Sequence, residues 1–173
     1  IEALLGHENY SYRLQYNYGM KTNEIVSGTY EYSNFVSISS MDSYTREYKK
    51  EGYFARLNYD FDDKYYVTAS YRRDGSSRFS KDNRWGNFWS FGASWRISQE
   101  DFMENLTWVD NLKLRASYGE TGNDAIYYTD DDTQQDYYPY QTLYNLGINN
   151  GLEAGLYFPT MANNNLKWET QVS

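Results

Sequence analysis

The chain has 173 residues, a formal net charge of −8, no cysteine and one histidine. These features exclude a disulfide framework and a thiolate or His-rich metal centre, and they argue against nonspecific electrostatic binding to nucleic acid. Tyr (21), Phe (8) and Trp (5) are abundant although the mean hydropathy is −0.89, a combination typical of strands and of the aromatic girdles of outer-membrane barrels.

Residues 1–18 are predicted to form the first strand. Its apolar positions shift from odd to even numbers near residues 8–9, which predicts a bulge there. Residues 20–50 are predicted to be an outer loop with some strand extension. Because the chain opens in mid-strand with no signal peptide, we expect a processed protein or a piece of a longer one.

Five further segments alternate apolar and polar residues with period two, as strands with two different faces do. In 53–61, 65–72 and 85–97 the apolar residues lie at odd positions, and in 112–119 and 166–173 they lie at even positions. No apolar run is long enough for a membrane helix, but about 9–11 residues suffice for a transmembrane strand. The pattern predicts lipid-facing apolar and lumenal polar faces, although a soluble β-sandwich alternates in the same way.

The connections between these strands alternate in length. Residues 62–64 fit a three-residue hairpin, because odd positions must pair with odd positions across it. Residues 99–111 form a medium connection with room for one helical turn, whereas 75–84 and 121–165 are longer and polar. Short turns on the periplasmic side and long loops outside are the outer-membrane pattern, and a loop as long as 121–165 indicates function or disorder.

Six strands are too few to close a barrel, for which about eight is the smallest number. Open sheet edges in lipid would leave backbone groups unpaired. The sequence therefore predicts an all-β fold, an antiparallel transmembrane β-barrel of which residues 1–173 supply about six strands.

Several motifs resemble the SusC/RagA family of TonB-dependent transporters from Bacteroidota outer membranes. They are "LLGHE" at 4–8, the segment "EGYFARLNYDFDDKYYVTASYRRDGSSRFSKDNRWGNFWSFGASWRISQEDFM" at 51–103, "LKLRASYGETGN" at 112–123 and "LKWET" at 166–170. One departure is Trp89, where many relatives have proline. The resemblance covers most of the chain, but not residues 129–155.

The resemblance implies a plugged barrel of about 22 strands that imports glycans or oligopeptides. It also implies energy from the TonB–ExbB–ExbD complex and a SusD-like surface lipoprotein as partner. The signal peptide, plug domain and remaining strands are not in this sequence. The sequence offers no catalytic constellation, so no enzyme and no cofactor is expected. The alternatives are a non-transport outer-membrane barrel such as an adhesin, and a soluble β-sandwich that binds sugars.

The segment "YRRDGSSRF" at 71–79 concentrates charge at the end of a predicted strand. A phosphate-binding loop would open a helix, but a strand follows, so that interpretation fails. We favour paired charges that order an outer loop, with Gly75 in a turn at positive φ; contact with substrate or plug is the alternative. The charges assigned to the lumen or rim are Arg56, Arg72, Arg73, Asp74, Arg78, Arg96, Lys113 and Arg115.

Other charged residues supplement this set. Lys167 and Glu169 are placed on a polar strand face, and an ion-pair network that supports the wall is favoured over contact with the plug. Glu2 and Glu8 are further candidates. His7 has no evident nucleophile partner, so catalysis by it is not expected.

The tyrosine-rich loop at 123–145 is the candidate substrate-contacting region. Stacking on sugar rings or covering a peptide is assigned to Tyr127, Tyr128, Tyr137, Tyr138, Tyr140 and Tyr144. A solvated loop packed by its own tyrosines is the alternative. Calcium could be held by Asp130, Asp131, Asp132 and Asp136, but their spacing is not that of an EF-hand, and no metal is expected.

Overall fold

A computed structural model describes residues 1–104, 106, 108–128, 131–150, 153–157 and 161–173. Strands dominate this part of the chain, and its helical segments are short 3-10 turns. The strands are β1 (Glu2–Glu24), β2 (Phe35–Phe61), β3 (Tyr65–Ser76), β4 (Trp85–Arg96), β5 (Lys113–Asn123), β6 (Tyr127–Tyr128), β7 (Asp131–Gln135), β8 (Asn145–Asn150), β9 (Glu153–Tyr157) and β10 (Glu169–Val172). The 3-10 helices are Tyr32–Asn34, Ile97–Gln99 and Asp101–Met103.

The main sheet has six strands in the order β1-β2-β3-β4-β5-β10. Every pairing for which the register is known is antiparallel. This confirms the predicted all-β antiparallel fold with six main strands. Among the described residues, no helix is both long enough and apolar enough to cross a membrane.

The strand register confirms the prediction of which odd and even positions lie opposite each other. Phe61 pairs with Tyr65 across the hairpin at 62–64, where Asp62 and Asp63 take the left-handed conformation with φ of 54° and 52°. Tyr71 pairs with Trp89, so odd positions face odd positions from β2 to β4. Trp95 then pairs with Leu114, which is the predicted change of phase at β5.

The apolar face of β2 to β5 carries aromatic rings at two levels. Near the short turns lie Tyr59, Phe61, Tyr65 and Trp95, and near the other end lie Tyr53, Tyr71, Trp89 and Tyr118. Between them are smaller residues such as Val67, Ala69 and Ala93. Tyr65 and Tyr71 are six residues apart on one strand, which corresponds to about 20 Å.

Several predicted connections differ from the structure. The predicted loop at 20–50 is wrong in extent, because β1 continues to Glu24 and β2 begins at Phe35. Period two is hard to see there because polar and apolar side chains are exposed on both faces. Residues 11–48 form one compact unit, whereas Ile1–Tyr10 and Lys49–Ser173 form the other.

The predicted turn at Gly75 is also wrong. Gly75 lies within β3, paired with Glu51 on one side and Trp85 on the other, and it is not among the glycines with positive φ. A Cβ atom at Gly75 would lie 3.0 Å from the Trp85 ring. The glycine therefore makes room for an aromatic ring, and the chain turns after Ser76.

The segment predicted as one unstructured loop from 121 to 165 contains strands. Strand β5 runs to Asn123, β6 pairs with β7, and β8 pairs with β9 as two separate two-stranded sheets. The last strand of the main sheet, β10, is shorter than the predicted 166–173. The helical turn expected near residues 99–105 is instead a pair of 3-10 turns.

A polar cluster joins the two connections at the short-turn end of the sheet. The Tyr65 hydroxyl donates a hydrogen bond of 2.6 Å, and the Trp95 indole N–H one of 2.8 Å, to the same Glu100 oxygen. Lys64 Nζ lies 3.7 Å from the other Glu100 oxygen. The hydrogen bond from Tyr65, then that from Trp95 and the Lys64 charge, hold the pKa of Glu100 below its ordinary value of 4.5.

Stability of this end of the sheet should therefore depend on pH through Glu100. Because the folded-state pKa is lowered, the contribution is fully present above about pH 4.5 and is lost as the pH falls through the lower folded value. In the full-length protein we expect Glu100→Gln to unfold at a lower temperature than the wild type at pH 7, with the two midpoints converging in acid. The measurement is the thermal midpoint between pH 7 and pH 3.

The matched control is Glu104→Gln, an exposed carboxylate in the same connection. It should leave both the midpoint and its pH dependence unchanged. A Glu100→Gln variant with the wild-type midpoint at every pH would contradict the role given to this carboxylate.

Candidate functional site

A small apolar cluster lies where the long loops meet the sheet. Phe79, Phe88 and Trp168 are at most 9% exposed, and Ile126 and Leu166 pack against them. Trp168 meets Phe88 edge to face at 5.4 Å between ring centres and lies 5.6 Å from Phe79. Its indole N–H donates to the Arg84 carbonyl at 2.9 Å. The cluster connects β4 to the loop after β3 and to the segment before β10.

Two glycines create the space for the Phe88 ring. A Cβ atom at Gly122 would lie 2.0 Å from the tip of that ring, and one at Gly86 would lie 2.6 Å from it. Any side chain at either position would displace the ring. The glycines of "RWGNF" and "ETGN" are therefore explained by packing against Phe88.

Asp124 is the centre of the charged contacts around this cluster. It is 6% exposed and lies just after β5. The Ser76 hydroxyl donates to Asp124 Oδ2 at 2.7 Å, and Lys50 Nζ lies 3.1 Å from Oδ1. One carboxylate thus links the end of β3 and strand β2 to the start of the long loop.

Arg78 reaches the same point from the loop after β3. It is 3% exposed, and its guanidinium donates to the Asp124 backbone carbonyl at 3.1 Å and to the Gln135 side-chain oxygen. Its charged end lies 4.0 Å from the Asp124 carboxylate and 5.4 Å from the centre of the Tyr137 ring. Buried charges persist only with such partners, so Arg78 fixes one long loop against another.

Arg72 and Asp74 form a second ion pair on the polar face. Arg72 Nε donates to both Asp74 oxygens at 2.7 and 2.8 Å, and its Nη2 donates to Glu8 at 2.9 Å. Asp74 is buried, and its carboxylate covers Gly52, where a Cβ atom would lie 2.5 Å from it. This geometry is the one expected of paired charges that hold strand ends together.

Arg73 lies on the opposite face from Arg72. Its guanidinium carbon is 5.1 Å from the centre of the Trp85 ring, and it pairs with Tyr53 and Asn87 across the sheet. It therefore belongs with the aromatic residues at the end of the apolar face remote from the short turns, and its assignment to the rim stays a prediction.

The other charges assigned to the lumen or rim lie on the polar face closer to the short turns. Arg56 donates to Asn58 at 3.3 Å, and Lys113 Nζ lies 3.8 Å from the centre of the Tyr66 ring. Arg96 and Arg115 lie on β4 and β5 near them, and Arg115 borders a shallow groove. These four residues are not brought into one cluster with Arg72 and Arg78. Their contact with a plug or substrate stays a prediction.

An open cavity of about 540 Å³ lies on the polar face between the two ion-pair clusters. Its floor is made of small residues, with Ser70 and Ser90 hydrogen-bonded to each other at 2.7 Å. Lys50, Arg72 and Trp168 are at its border. The cavity combines an aromatic ring, hydroxyl groups and charged groups, which suits contact with a polar ligand.

The candidate tyrosines are spread over the loop. Tyr127 is 46% exposed and Tyr144 57% exposed, whereas Tyr137 covers Arg78 and Tyr140 accepts a hydrogen bond from Gln141. The backbone N–H of Tyr138 donates to Asp136. The side chain of Tyr128 is not among those described. Substrate contact by this set stays a prediction.

The calcium alternative falls largely outside what the structure describes. Asp130 lies outside the described residues, and the side chains of Asp131 and Asp132 are not described. Asp136 uses a carboxylate oxygen to accept the Tyr138 backbone N–H at 2.9 Å. Within the described part of the chain, no group of three or more His, Asp or Glu side chains is arranged to hold a metal ion.

Sequence reasoning missed the residues that organise this site, namely Lys50, Asp124, Phe88 and Trp168. The alternation of apolar and polar residues predicted that Trp168 and Leu166 face lipid. That prediction is wrong, because both pack in the cluster with Phe88. Trp168 precedes β10, so strand alternation does not govern its direction. The available signal was the two glycines near Phe88, Gly86 on the same strand and Gly122 on the neighbouring strand β5.

Comparison with known proteins identifies the fold. The family model described as TonB dependent receptor-like, beta-barrel, matches residues 3–173. The chain is 53% identical over 73 residues to TonB-dependent receptor P39 of Formosa agariphila, covering 42% of this chain and 7% of that protein. It is 40% identical over 125 residues to TonB-dependent receptor SusC of Bacteroides thetaiotaomicron, covering 68% of this chain and 12% of that protein.

Solved structures of related transporters resemble this fold. The RagAB peptide transporter aligns with a TM-score of 0.84 at 31% identity, covering 98% of this chain and 18% of that chain. The same peptide importer in its open-open state aligns with a TM-score of 0.73 at 30% identity, over the same shares of the two chains. The chain therefore spans less than a fifth of the length of these relatives.

Proposed function

Because the chain belongs to the TonB-dependent receptor-like β-barrel family, we propose that it supplies six neighbouring strands of an outer-membrane importer. The apolar face of the sheet contacts lipid and the polar face lines the lumen. The prediction that the chain is not an enzyme agrees with this family. Transport here means passage of a nutrient through the barrel without making or breaking bonds.

The two-level aromatic face is the observation that carries this proposal. Its rings are exposed, with Tyr53, Tyr65 and Trp89 between 42% and 48% accessible. Outer-membrane barrels have an apolar band about 25 Å tall between aromatic girdles, close to the ~20 Å between Tyr65 and Tyr71. Rings with one polar end are favoured at such interfaces.

This face also argues against a soluble β-sandwich. A sandwich buries the apolar face of each sheet under a second sheet at about 10 Å. Phe91 and Leu57 on this face are 48% and 47% exposed, and the two small sheets of the described residues are not hydrogen-bonded to the main sheet. In a membrane, lipid would cover these side chains.

The whole protein is proposed to take up glycans or oligopeptides with a SusD-like surface lipoprotein. The likeness to a peptide transporter and to SusC supports this class. Energy would come from TonB–ExbB–ExbD through the rest of the protein. Substrate would meet the exposed Tyr127 and Tyr144, while Arg72, Asp74 and Arg78 keep the mouth of the barrel in shape.

The test uses the full-length protein in its own cells. We expect it in the outer-membrane fraction, and we expect uptake of its nutrient to fall to background when TonB is deleted. Growth on candidate glycans and peptides, with radiolabelled uptake, identifies the substrate. Uptake that continues unchanged without TonB, or recovery of the protein in a soluble fraction, would overturn the proposal.

A further inference from the structure

A cluster of aromatic and cationic residues lies on the apolar face at the end of β3 and β4 remote from the short turns. The Trp85 ring extends across β3 over Gly75. The Arg73 guanidinium carbon lies 5.1 Å from the centre of this ring, and the Tyr53 ring lies 6.2 Å from it. Trp85 is therefore the centre of a patch that includes a fixed positive charge.

Lys49 adds a second cation to this patch. It lies two residues beyond Glu51 and four beyond Tyr53, so strand alternation places it on their face. Its backbone N–H donates to the Ser77 hydroxyl at 2.9 Å, which fixes the strand at this point. Together with Asn9, Ser77 and Trp85 it borders a groove of about 250 Å³.

The charges of the patch are not balanced by protein groups. Across the described residues, neither Lys49 nor Arg73 forms an ion pair. The nearby carboxylate of Glu51 is engaged elsewhere, because it accepts hydrogen bonds from Tyr53 at 2.6 Å and interacts with His7 at 3.2 Å. His7 also stacks on Tyr53 with 4.7 Å between ring centres. Lys49 thus borders the groove, and Arg73 lies beside the Trp85 ring that also borders it. The one carboxylate next to them, that of Glu51, is already engaged by Tyr53 and His7.

The depth of the patch indicates what this groove meets. The patch starts at the aromatic level of Tyr53, Tyr71 and Trp89 and extends beyond it through Trp85 and Lys49. It therefore lies at the height of lipid headgroups if the apolar face contacts lipid. Lys and Arg side chains extend their charges to this level. Arginine guanidinium groups hold phosphate oxygens by paired hydrogen bonds.

We propose that Lys49 and Arg73, on either side of the Trp85 ring, bind the phosphate of an anionic lipid headgroup. The inference rests on the proposed function, since it requires the aromatic face to contact lipid. Import substrate is not the occupant, because the lumenal cavity bordered by Arg72 lies on the other face of the sheet. The bound lipid would fix the height of this part of the wall in the membrane.

The experiment uses the purified full-length transporter, with phosphatidylglycerol and phosphatidylcholine as probes in native mass spectrometry. We expect phosphatidylglycerol to be retained preferentially. Each cation near a membrane surface contributes about 1 kcal/mol, or roughly a fivefold change in affinity, so Lys49→Gln with Arg73→Gln should lower retention by more than tenfold. Arg115→Gln, on the polar face, is the matched control and should retain the lipid as the wild type does.

Three results would overturn the inference. The first is equal retention of the two lipids, and the second is wild-type retention by the double variant. The third is displacement of the lipid by inorganic phosphate at the same concentration, because that would indicate a site for a soluble anion. Membrane fractionation and uptake by the same variants separate the two proposals. A variant that inserts and imports normally but shows no lipid effect contradicts only the lipid site, whereas a wild type outside the membrane contradicts the proposed function.

Discussion

Replacing Asp124 with alanine is expected to destabilise the folded barrel by about 3 kcal/mol. Removing one partner of a buried ion pair costs about 3–5 kcal/mol, and the lower figure applies because Arg78 keeps the Asp124 carbonyl and Gln135 as acceptors. The fully buried Ser76 hydroxyl would lose its acceptor as well. Asp124→Asn should cost less, because the amide oxygen can still accept from Ser76.

The measurement is the temperature at which the full-length protein changes from its folded to its unfolded mobility in a detergent gel. Asp82→Ala is the matched control, because Asp82 is an exposed carboxylate in the loop after β3. The order of midpoints should be wild type and Asp82→Ala, then Asp124→Asn, then Asp124→Ala. Equal midpoints for the two alanine variants would show that Asp124 does not organise the loops.

Replacing Phe88 with alanine should have an effect of similar or greater size. Truncating a buried phenylalanine costs about 3–5 kcal/mol, more where the surroundings cannot collapse into the cavity. Gly86 and Gly122 border this ring and have no side chains with which to fill the space. Trp168 would lose its edge-to-face partner, so the start of β10 should become less protected.

The control for this variant lies three residues away on the same strand. Phe91→Ala removes the same atoms from the apolar face, where the ring is 48% exposed and the surrounding detergent can replace it. The gel midpoint and amide hydrogen exchange at 168–172 measure both variants. The assignment of Phe88 to the core fails if Phe91→Ala proves as destabilising as Phe88→Ala.

The strands of the main sheet were predictable because period two is a direct consequence of strand geometry. The three-residue turn at 62–64 followed from the odd positions of both flanking strands sharing a face, and the pairing of Phe61 with Tyr65 confirms it. The change of phase at β5 was visible as apolar residues at 112–118. For the same reason the number of main strands and the direction of Arg72 could be read from the sequence.

The site was predictable only where it lies on a regular strand. Trp168 precedes β10, so its direction depends on the Phe88 ring and the Arg84 carbonyl, which are more than 75 residues away in sequence. Gly75 was assigned to a turn because "DG" usually marks one, but the position is determined by the neighbouring Trp85 ring. Asp124 gave no signal because its partners come from three segments of the chain.

If the chain acts in import as proposed, the contacts of Asp124 have a consequence for how such barrels diversify. The long loop leaves the sheet at a carboxylate held by Lys50 and Ser76, and the chain returns through Trp168, which is held by Phe88. The side chains that hold both attachment points, Lys50, Ser76 and Phe88, lie outside the loop. Under the proposed function, we expect the intervening sequence to be exchangeable as a cassette, so that a barrel would acquire a new nutrient while its wall stays unchanged.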